Sequence, residues 1–544
     1  MSRIQVWFLL LVFLAIAVFH ASFGRSAVSG FQEFVAPVVE GSLSGTVKDA
    51  DGTPIGGAVV RAFHTDTGIA TIALTDSGGG FSVPHSYLRM GKYEVSGEKK
   101  GYRPGASRAL TWDGASKKVE WVLTRLPIIP VSQMSSADIL PYLPEAPERA
   151  TTVQTCGACH GLNRLFEQGR TRSEWAQVVE RMSSYLPVNE KSVPLILDYL
   201  SRFAGPDTTL PQELGEKVRK GYRQEARLGS DLIYTEYDIP TPHAEGNTAV
   251  RDREARYVWF SEYGGHQLGR LELATGKITE YPIKATPVRP HGLAIGADGI
   301  VWCAVLPDKL VRMDPKTEKM DVLMVPLLPD GRTTGPHTII VAKSGKVFFT
   351  EQTAGSISSF DPATHEFRRY PIQDRSGAYG LYEHGDRIFF SLAGAAKIGW
   401  LHPGSGEVKL FPVPTRNSGP QRLRFDAKGR MWFGERAGHK LGMFDPVTET
   451  ITEYDLPSFG SPYSIHIDGR GYIWLGAYDR DSLLRVDPET KDVVEYPLPG
   501  VGVILREIWP DDDGTMWFLQ YARNKVTSAK MLPGVPHPKS DTGY

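Results

Sequence analysis

From about residue 232 onward, one unit is written seven times, and this repeat constrains the fold more than any other feature of the chain. The unit ends are Tyr237-Asp238-Ile239, Tyr281-Pro282-Ile283, Met324-Val325-Pro326, Tyr370-Pro371-Ile372, Phe411-Pro412-Val413, Tyr454-Asp455-Leu456 and Tyr496-Pro497-Leu498. They recur roughly every 43 residues, the period of a four-stranded blade. Between ends the chain reads Pro-x-Gly-Leu, then Asp-Gly before an apolar-Trp strand, then Leu-x-Arg-x-Asp-Pro, as from His291 to Pro315. Such phrases are short alternating strands separated by Asp-Gly and Asp-Pro turns. The last unit, Arg506 to Met531, lacks a terminal Tyr-Pro strand, and a matching strand stands at the front as Ile233 to Ile239. A strand borrowed from the front closes a ring and hides sheet edges that would otherwise invite aggregation. The expectation for 232–531 is a closed seven-bladed β-propeller.

The 544 residues exceed one ordinary domain, so other folds precede the ring. With 61 basic against 62 acidic residues, the charge balance points to no nucleic-acid partner. Three cysteines do not make a disulfide scaffold, and Cys303 falls in a blade strand as a buried thiol. Arg3, the apolar run Val6 to Phe19 and the small residues Ser22 and Gly24 read as a secretory signal over 1–24. The run is shorter than the ~20 residues that span a bilayer, and an uncleaved anchor is the alternative. The mature chain is therefore expected to be periplasmic or secreted, with no membrane span after signal removal.

Residues 41–124 alternate in period two between turn signals such as Asp51-Gly52, Gly56-Gly57 and Ser77-Gly78-Gly79-Gly80, the pattern of a small β-sandwich. The series Gly45-Thr46-Val47-x-Asp49, Pro54-Ile55-Gly56-Gly57-Ala58-x-Val60, Gly80-Phe81-Ser82-Val83 and Gly91-x-Tyr93-x-Val95 resembles the carboxypeptidase regulatory-like domain, a transthyretin-like sandwich. No nucleophile or ligand cluster appears there, and a spacer role is expected. Residues 125–150 carry Pro127, Pro130, Pro141, Pro144 and Pro147 and read as a stiffened linker.

Within 137–205 stands Cys156-Gly157-Ala158-Cys159-His160, which reads as the C-x-x-C-H attachment site of covalent haem c, with a chance pentapeptide or a redox C-x-x-C as the alternative. Two thiols at this spacing each bond one vinyl group, and the next imidazole, His160, meets the iron. Between Ala137 and Ala204 the only methionine is Met182, on an apolar stripe with Trp175, Val178 and Val179 of a helix begun at Ser173. It is either a core residue or, by elimination, the second axial ligand. His/Met ligation makes a one-electron carrier of raised potential. The arrangement resembles small mono-haem cytochromes c, although Met182 follows His160 closely. A second helix over Asn189 to Phe203 closes the domain, and residues 206–231 form a charged helical linker.

In a propeller the innermost strands line a central channel. Counting back from the second-strand aromatics selects Thr248, His291, His337, Tyr379, Gln421, Tyr463 and Arg506 as one polar ring. Glu262, Val305, Glu351, Leu392, Glu435, Ala477 and Gln520 are expected as a second. The phrases Pro290-His291-Gly292-Leu293 and Pro336-His337-Thr338-Ile339, with the repeated Trp-Phe-x-Glu and Glu-Tyr-x-x-Pro, resemble the virginiamycin B lyase family of seven-bladed propellers. That family opens a cyclic depsipeptide by elimination. The resemblance implies that His337 is the base and that His291 and Glu351 hold a divalent metal such as Mg. It departs at Gly335, where the family has a glutamate, and the loss of a carboxylate weakens an oxygen-ligand site.

Three functions follow as expectations. An exported cytochrome could carry electrons from a small periplasmic substrate bound by the propeller to a redox partner protein. The propeller could be a metal-assisted lyase, with His337 abstracting a proton and a metal on His291 and Glu351 steadying the enolate. Sandwich and propeller could instead be non-enzymatic binding modules that place a cytochrome beside a partner.

Overall fold

The structure, a computed structural model, describes residues 41–532 apart from 159, 186–187, 222–225, 375–376, 458–459 and 512. The expected signal at 1–24 and Cys159 of the haem motif lie outside the described residues. The protein is mainly β, in three parts.

The first part packs a four-stranded sheet, in which Leu43–Asp49 runs parallel to Lys117–Arg125, against a second sheet built from Ala70–Leu74, Val59–His64, Gly91–Glu98 and Arg108–Trp112. Val47, Ala62, Phe81, Val95 and Trp121 are buried by the period-two alternation of these strands.

The repeat folds as seven blades of four antiparallel strands, the sixth of which gains a fifth, parallel strand from Arg227–Leu228. The first strands of successive sheets touch all the way round, from Gly246–Arg251 to Leu505–Pro510 and back, so these strands line the axis. Leu232–Asp238 pairs along Lys525–Met531 and completes the seventh blade with the front of the chain. The Asp-Gly turns bind the aromatic strand that follows: Trp432, Trp474 and Trp517 donate their indole N–H to Asp426, Asp468 and Asp511 at 2.8, 2.9 and 3.0 Å.

The sandwich is more than the expected spacer. Its strand Ala70–Leu74 pairs antiparallel with the free edge of Leu232–Asp238, so blade seven and one face of the sandwich form a continuous eight-stranded sheet. The closing strand therefore has neighbours on both sides. Glu236 on that strand is buried, accepts from Gln520 Nε2 at 2.6 Å and meets Arg61 of the sandwich at 2.9 Å.

Between them lies a helical part: α1 (Ser136–Ile139), α2 (Arg149–Cys156), α3 (Arg172–Tyr185), α4 (Val193–Phe203) and α5 (Leu210–Gly221). The two stretches expected as linkers are part of its core, because their apolar residues are spaced to face it. Ile129, Val131, Met134 and Leu143 from 125–150, and Leu210, Leu214 and Val218 from 206–231, pack with Leu162, Phe166, Trp175 and Leu200. The expected cap at Ser173 shifts to Thr171, whose hydroxyl accepts from the N–H of Glu174 at 3.3 Å while the Glu174 carboxylate accepts from the Thr171 N–H at 2.7 Å. A reciprocal pair satisfies two otherwise orphaned donors, which a serine two residues later cannot do. Among the described residues no helix is long and apolar enough to cross a membrane.

Candidate functional site

Each blade interrupts its first strand with a bulge at the same place. The register slips between Gly246 and Ala249, Pro290 and Leu293, Pro336 and Ile339, Ala378 and Leu381, Pro420 and Leu423, Pro462 and Ser464, and Leu505 and Ile508. A bulge re-aims side chains, so two consecutive residues per blade turn toward the axis. One ring is Asn247, His291, His337, Tyr379, Gln421, Tyr463 and Arg506. Asn247 replaces the expected Thr248, since Gly246 holds the register of Pro290. Beneath it Thr248, Thr338, Arg422 and Glu507 occupy the next position. Second-strand hydroxyls hold this geometry from blade to blade: Ser261 Oγ donates to His291 O and Ser391 Oγ to Gln421 O, both at 2.6 Å.

The lower layer is an ion pair across the channel. Arg422 donates from Nη2 to Glu507 Oε2 at 2.9 Å and from Nη1 to Thr338 Oγ1, and Thr248 Oγ1 donates to the same Glu507 oxygen at 3.2 Å. Above it stand the aromatic groups. The rings of His291 and His337 are 3.7 Å apart, those of His337 and Tyr379 4.5 Å, and the hydroxyls of Tyr379 and Tyr463 share a hydrogen bond. Tyr478 stacks on Tyr463 with centroids 5.5 Å apart. Burial, followed by the charges of Arg506 and Arg422, holds His291 well below the usual histidine range; burial, then His291 and both guanidiniums, does so for His337. Both imidazoles are therefore neutral at pH 7. Burial and the neighbouring Tyr463 push the Tyr379 hydroxyl well above its ordinary value.

The other expected residues divide into two groups. Glu351 is fully buried but does not join the histidines: it accepts from Ser356 Oγ at 2.6 Å and from Arg369 Nε at 2.8 Å, across the outer strands of its own blade. Two other polar members of the expected second ring likewise make contacts within their blades, while Val305, Leu392 and Ala477 pack in apolar clusters between neighbouring blades. Glu262 accepts from Gln267 at 2.8 Å, and Gln520 donates to Glu236. Among the described residues no three His, Cys, Asp or Glu side chains converge as a metal site would require. Gly335 has φ +69° and a Cβ there would lie 2.7 Å from Thr353 Oγ1, so a glutamate is disfavoured at this position.

The described residues of the C-x-x-C-H motif lie against the channel ring. α2 ends at Cys156, and the Ala158 carbonyl accepts from Arg506 Nη2 at 2.8 Å and from Tyr478 Oη at 2.9 Å. Gly161 approaches Gly502 so closely that a Cβ would sit 2.8 Å from its Cα. Arg164 donates to Ala522 O at 3.2 Å and Ala137 N to Asp479 O at 2.7 Å, which fastens the helical part to blades six and seven. His160 is half-buried, with its pKa lowered chiefly by burial, and Nδ1 faces Gly161 O at 3.1 Å. Trp175 and Val179 are in the helical core, and Met182, one turn on, is half-buried.

Residues 328–534 match the virginiamycin B lyase family, and residues 42–124 match the carboxypeptidase regulatory-like domain. A virginiamycin B lyase of Nocardia farcinica is 28% identical over 186 residues, covering 33% of this chain and 60% of that protein, less than two thirds of its length. The virginiamycin B lyase of Staphylococcus aureus superposes with a TM-score of 0.51 at 22% identity, over 55% of this chain and 100% of its own. A catalytically inactive His-to-Ala variant of the S. aureus enzyme, crystallised with quinupristin, gives a TM-score of 0.50 at 22% identity, over 55% and 100%. These likenesses show a propeller of the lyase type. The helical part lies between the two matched stretches.

Arg422, Glu507, Tyr478 and Asn247 escaped the sequence reading. Their signal is a bulge, which follows from strand pairing, and a loop contact made after the helical part docks.

Proposed function

We propose that the chain is an exported mono-haem c-type cytochrome whose propeller channel binds a small-molecule substrate, with a redox partner protein taking the electrons. The observation that supports this most is that Ala158, within the C-x-x-C-H motif, is clasped through its carbonyl by Tyr478 and Arg506 of the channel wall. The described residues fit haem at one further point. Gly161 O can only accept, so His160 donates from Nδ1 and leaves Nε2 as the free ligand atom. His160 and Met182 would be the axial ligands and Cys156 and Cys159 the covalent anchors. Haem, when bound, supplies one-electron chemistry at its iron. Around it, the chain's own groups hold substrate and protons: Arg506 and the neutral His291 and His337 orient a ligand, and the Tyr379–Tyr463 pair keeps a proton between two hydroxyls.

The second reading, a metal-assisted elimination with His337 as base, is favoured by the match over 328–534. It asks His337 to hold a proton beside two guanidiniums that oppose the charge, with Glu351 already engaged by Arg369. The first reading needs neither. Reduced-minus-oxidised visible spectra of protein exported with the haem-attachment machinery test it. Covalent haem is expected, lost in His160→Ala and retained with an altered spectrum in Met182→Ala; protein lacking covalent haem under these conditions refutes the proposal. Turnover that survives Met182→Ala and vanishes in His337→Ala would select the lyase.

A further inference from the structure

We infer that the cavity where the sandwich, the helical part and blade six meet captures small hydroxyaldehydes, with Lys99 as the amine that condenses with their carbonyl. The cavity measures about 740 Å³ and is lined from all three parts, among others by Gly57 and Lys99 of the sandwich, Ser135 and Tyr142 of the helical part, and Arg480 and Ser482 of blade six. That volume falls in the range of small-molecule sites, about 300–1,000 Å³. No residue of the channel ring belongs to its wall, so this site is separate from the channel.

Lys99 follows the strand Gly91–Glu98 and is half-buried in this wall. Its Nζ donates to Gly57 O at 3.1 Å, and a Cβ on Gly57 would stand 3.0 Å from that nitrogen, so the side chain is held down against backbone. Among the described residues no carboxylate lies within ion-pair distance of it. The acids nearby are engaged by other cations: Lys100 meets Asp138 of α1 at 2.6 Å, and Arg480 holds Glu495 at 2.9 Å. Lys99 is left with a second ammonium beside it in the chain. Burial, then the charge of Lys100, against that of Glu495, lowers its pKa to about 8. A lysine desolvated beside another cation presents an amine, the nucleophilic form, near neutral pH.

The condensation balances without an oxidant or reductant. The Nζ lone pair adds to the carbonyl carbon, and the carbinolamine then loses water, which carries off the carbonyl oxygen with the two protons of the amine and leaves a C=N bond. The rest of the wall selects the body of the ligand. Its five basic and five acidic described side chains balance, so it asks for no charge. Its spare capacity is for hydrogen bonds: the wall residues Asn163 and Arg523 carry a buried acceptor, Oδ1, and a buried donor, Nε, each without a partner. Hydroxyls satisfy an amide oxygen and a guanidinium alike, which a hydrocarbon chain cannot do.

Incubating the full chain with glyceraldehyde and cyanoborohydride, which traps imines as secondary amines, and reading the label lysine by lysine by peptide mass spectrometry tests this. At pH 7.5 Lys99 is expected to react at least about ten-fold faster than the exposed Lys48 and Lys118 of the same sandwich. Its rate should saturate as glyceraldehyde is raised, while theirs climbs linearly. Propanal, which lacks the hydroxyls, should label Lys99 without saturating over the same range. Lys100→Met removes the like charge and should slow Lys99 at pH 7.5, moving the midpoint of its pH–rate profile upward from about 8. Labelling of Lys99 no faster than that of the exposed lysines, a linear dependence on glyceraldehyde, saturation by propanal at the same concentrations, or an unchanged Lys99 profile in Lys100→Met would each overturn the inference. The measurement needs no covalent haem, so it stands or falls apart from the cytochrome reading.

Discussion

At the scale of single residues, the channel carries a closed ion pair, which responds to substitution differently from the buried carboxyls at the blade ends. Arg422 and Glu507 have side chains only 2% and 6% exposed, so removing one charge strands the other. Glu507→Gln is expected to cost about 3 kcal/mol or more in stability, read from urea unfolding midpoints at constant slope. The blade-end carboxyls behave in the opposite sense. Burial, against the hydrogen bond from Gln267, pushes Glu262 up to about 8, and burial with the charge of Glu453 does the same for Glu435. The fold prefers the neutral acid, so this stability is present below the ordinary carboxyl range and is lost as pH rises through about 8. Glu262→Gln should therefore raise the melting temperature at pH 8 relative to the native chain and leave it nearly unchanged at pH 4. A variant that melts lower at pH 8 would contradict the assignment. The repeat made His291, His337, Tyr379, Gln421, Tyr463 and Arg506 legible as one ring, because equal spacing puts equal positions on equal strands. It could not reveal Arg422 and Glu507, since a two-residue period sends neighbours to opposite faces and only the bulge brings both inward. Asn247 stands where Thr248 was expected because the turn of that blade, residues 252–257, is one residue longer than its counterpart 296–300.

At the scale of elements, the strand Leu232–Asp238 is the joint on which the chain turns. It serves blade seven along one edge and the sandwich along the other, through Ile233 opposite Ala73 and Tyr234 opposite Ile72. The buried Glu236 is the polar counterpart of that joint. Arg61 reaches it from the sandwich at 2.9 Å with 26% of its side chain exposed. Arg61→Ala should destabilise the fold by about 2 kcal/mol, below the cost of breaking a fully buried pair because of that exposure. Adding Glu236→Gln should recover part of the loss, since without Arg61 the buried carboxylate has only Lys525, 3.9 Å away, to balance it. A double-mutant cycle in chemical denaturation reads both steps, and additive losses would show that the pair does not couple the two parts. The closing strand itself was visible in the sequence as a front strand missing from the back. Its second partner was not, because an edge strand's pattern of alternation is the same whether its free edge meets water or another sheet.

At the scale of the whole molecule, three parts that read as beads on a string share their edges and faces. Deleting 41–124 removes the neighbour of the closing strand and bares an apolar edge carrying Ile233 and Tyr234. That variant is expected to self-associate, which size-exclusion chromatography with light scattering would detect; a monodisperse monomer would show that the edge needs no cover. The helical part likewise rests on blades six and seven through Ala137, Arg164 and Ala158, so Ala158 is held against the channel. Periodicity alone determined the ring, the number of its blades, the borrowed strand and the sandwich, because each is a repeat of local hydrogen bonding and alternation that the residues themselves encode. The C-x-x-C-H motif was visible as a spacing, being local in the chain. What only the tertiary structure decided is which polar residues meet. Glu351 turns to Arg369 instead of the histidines, and Arg422 crosses the channel to Glu507. The Ala158 carbonyl docks on Tyr478 and Arg506, more than 300 residues away in sequence. These partners are chosen by bulges, edge pairing and docking faces, and such contacts exist only once distant segments have been brought within a few ångströms of one another.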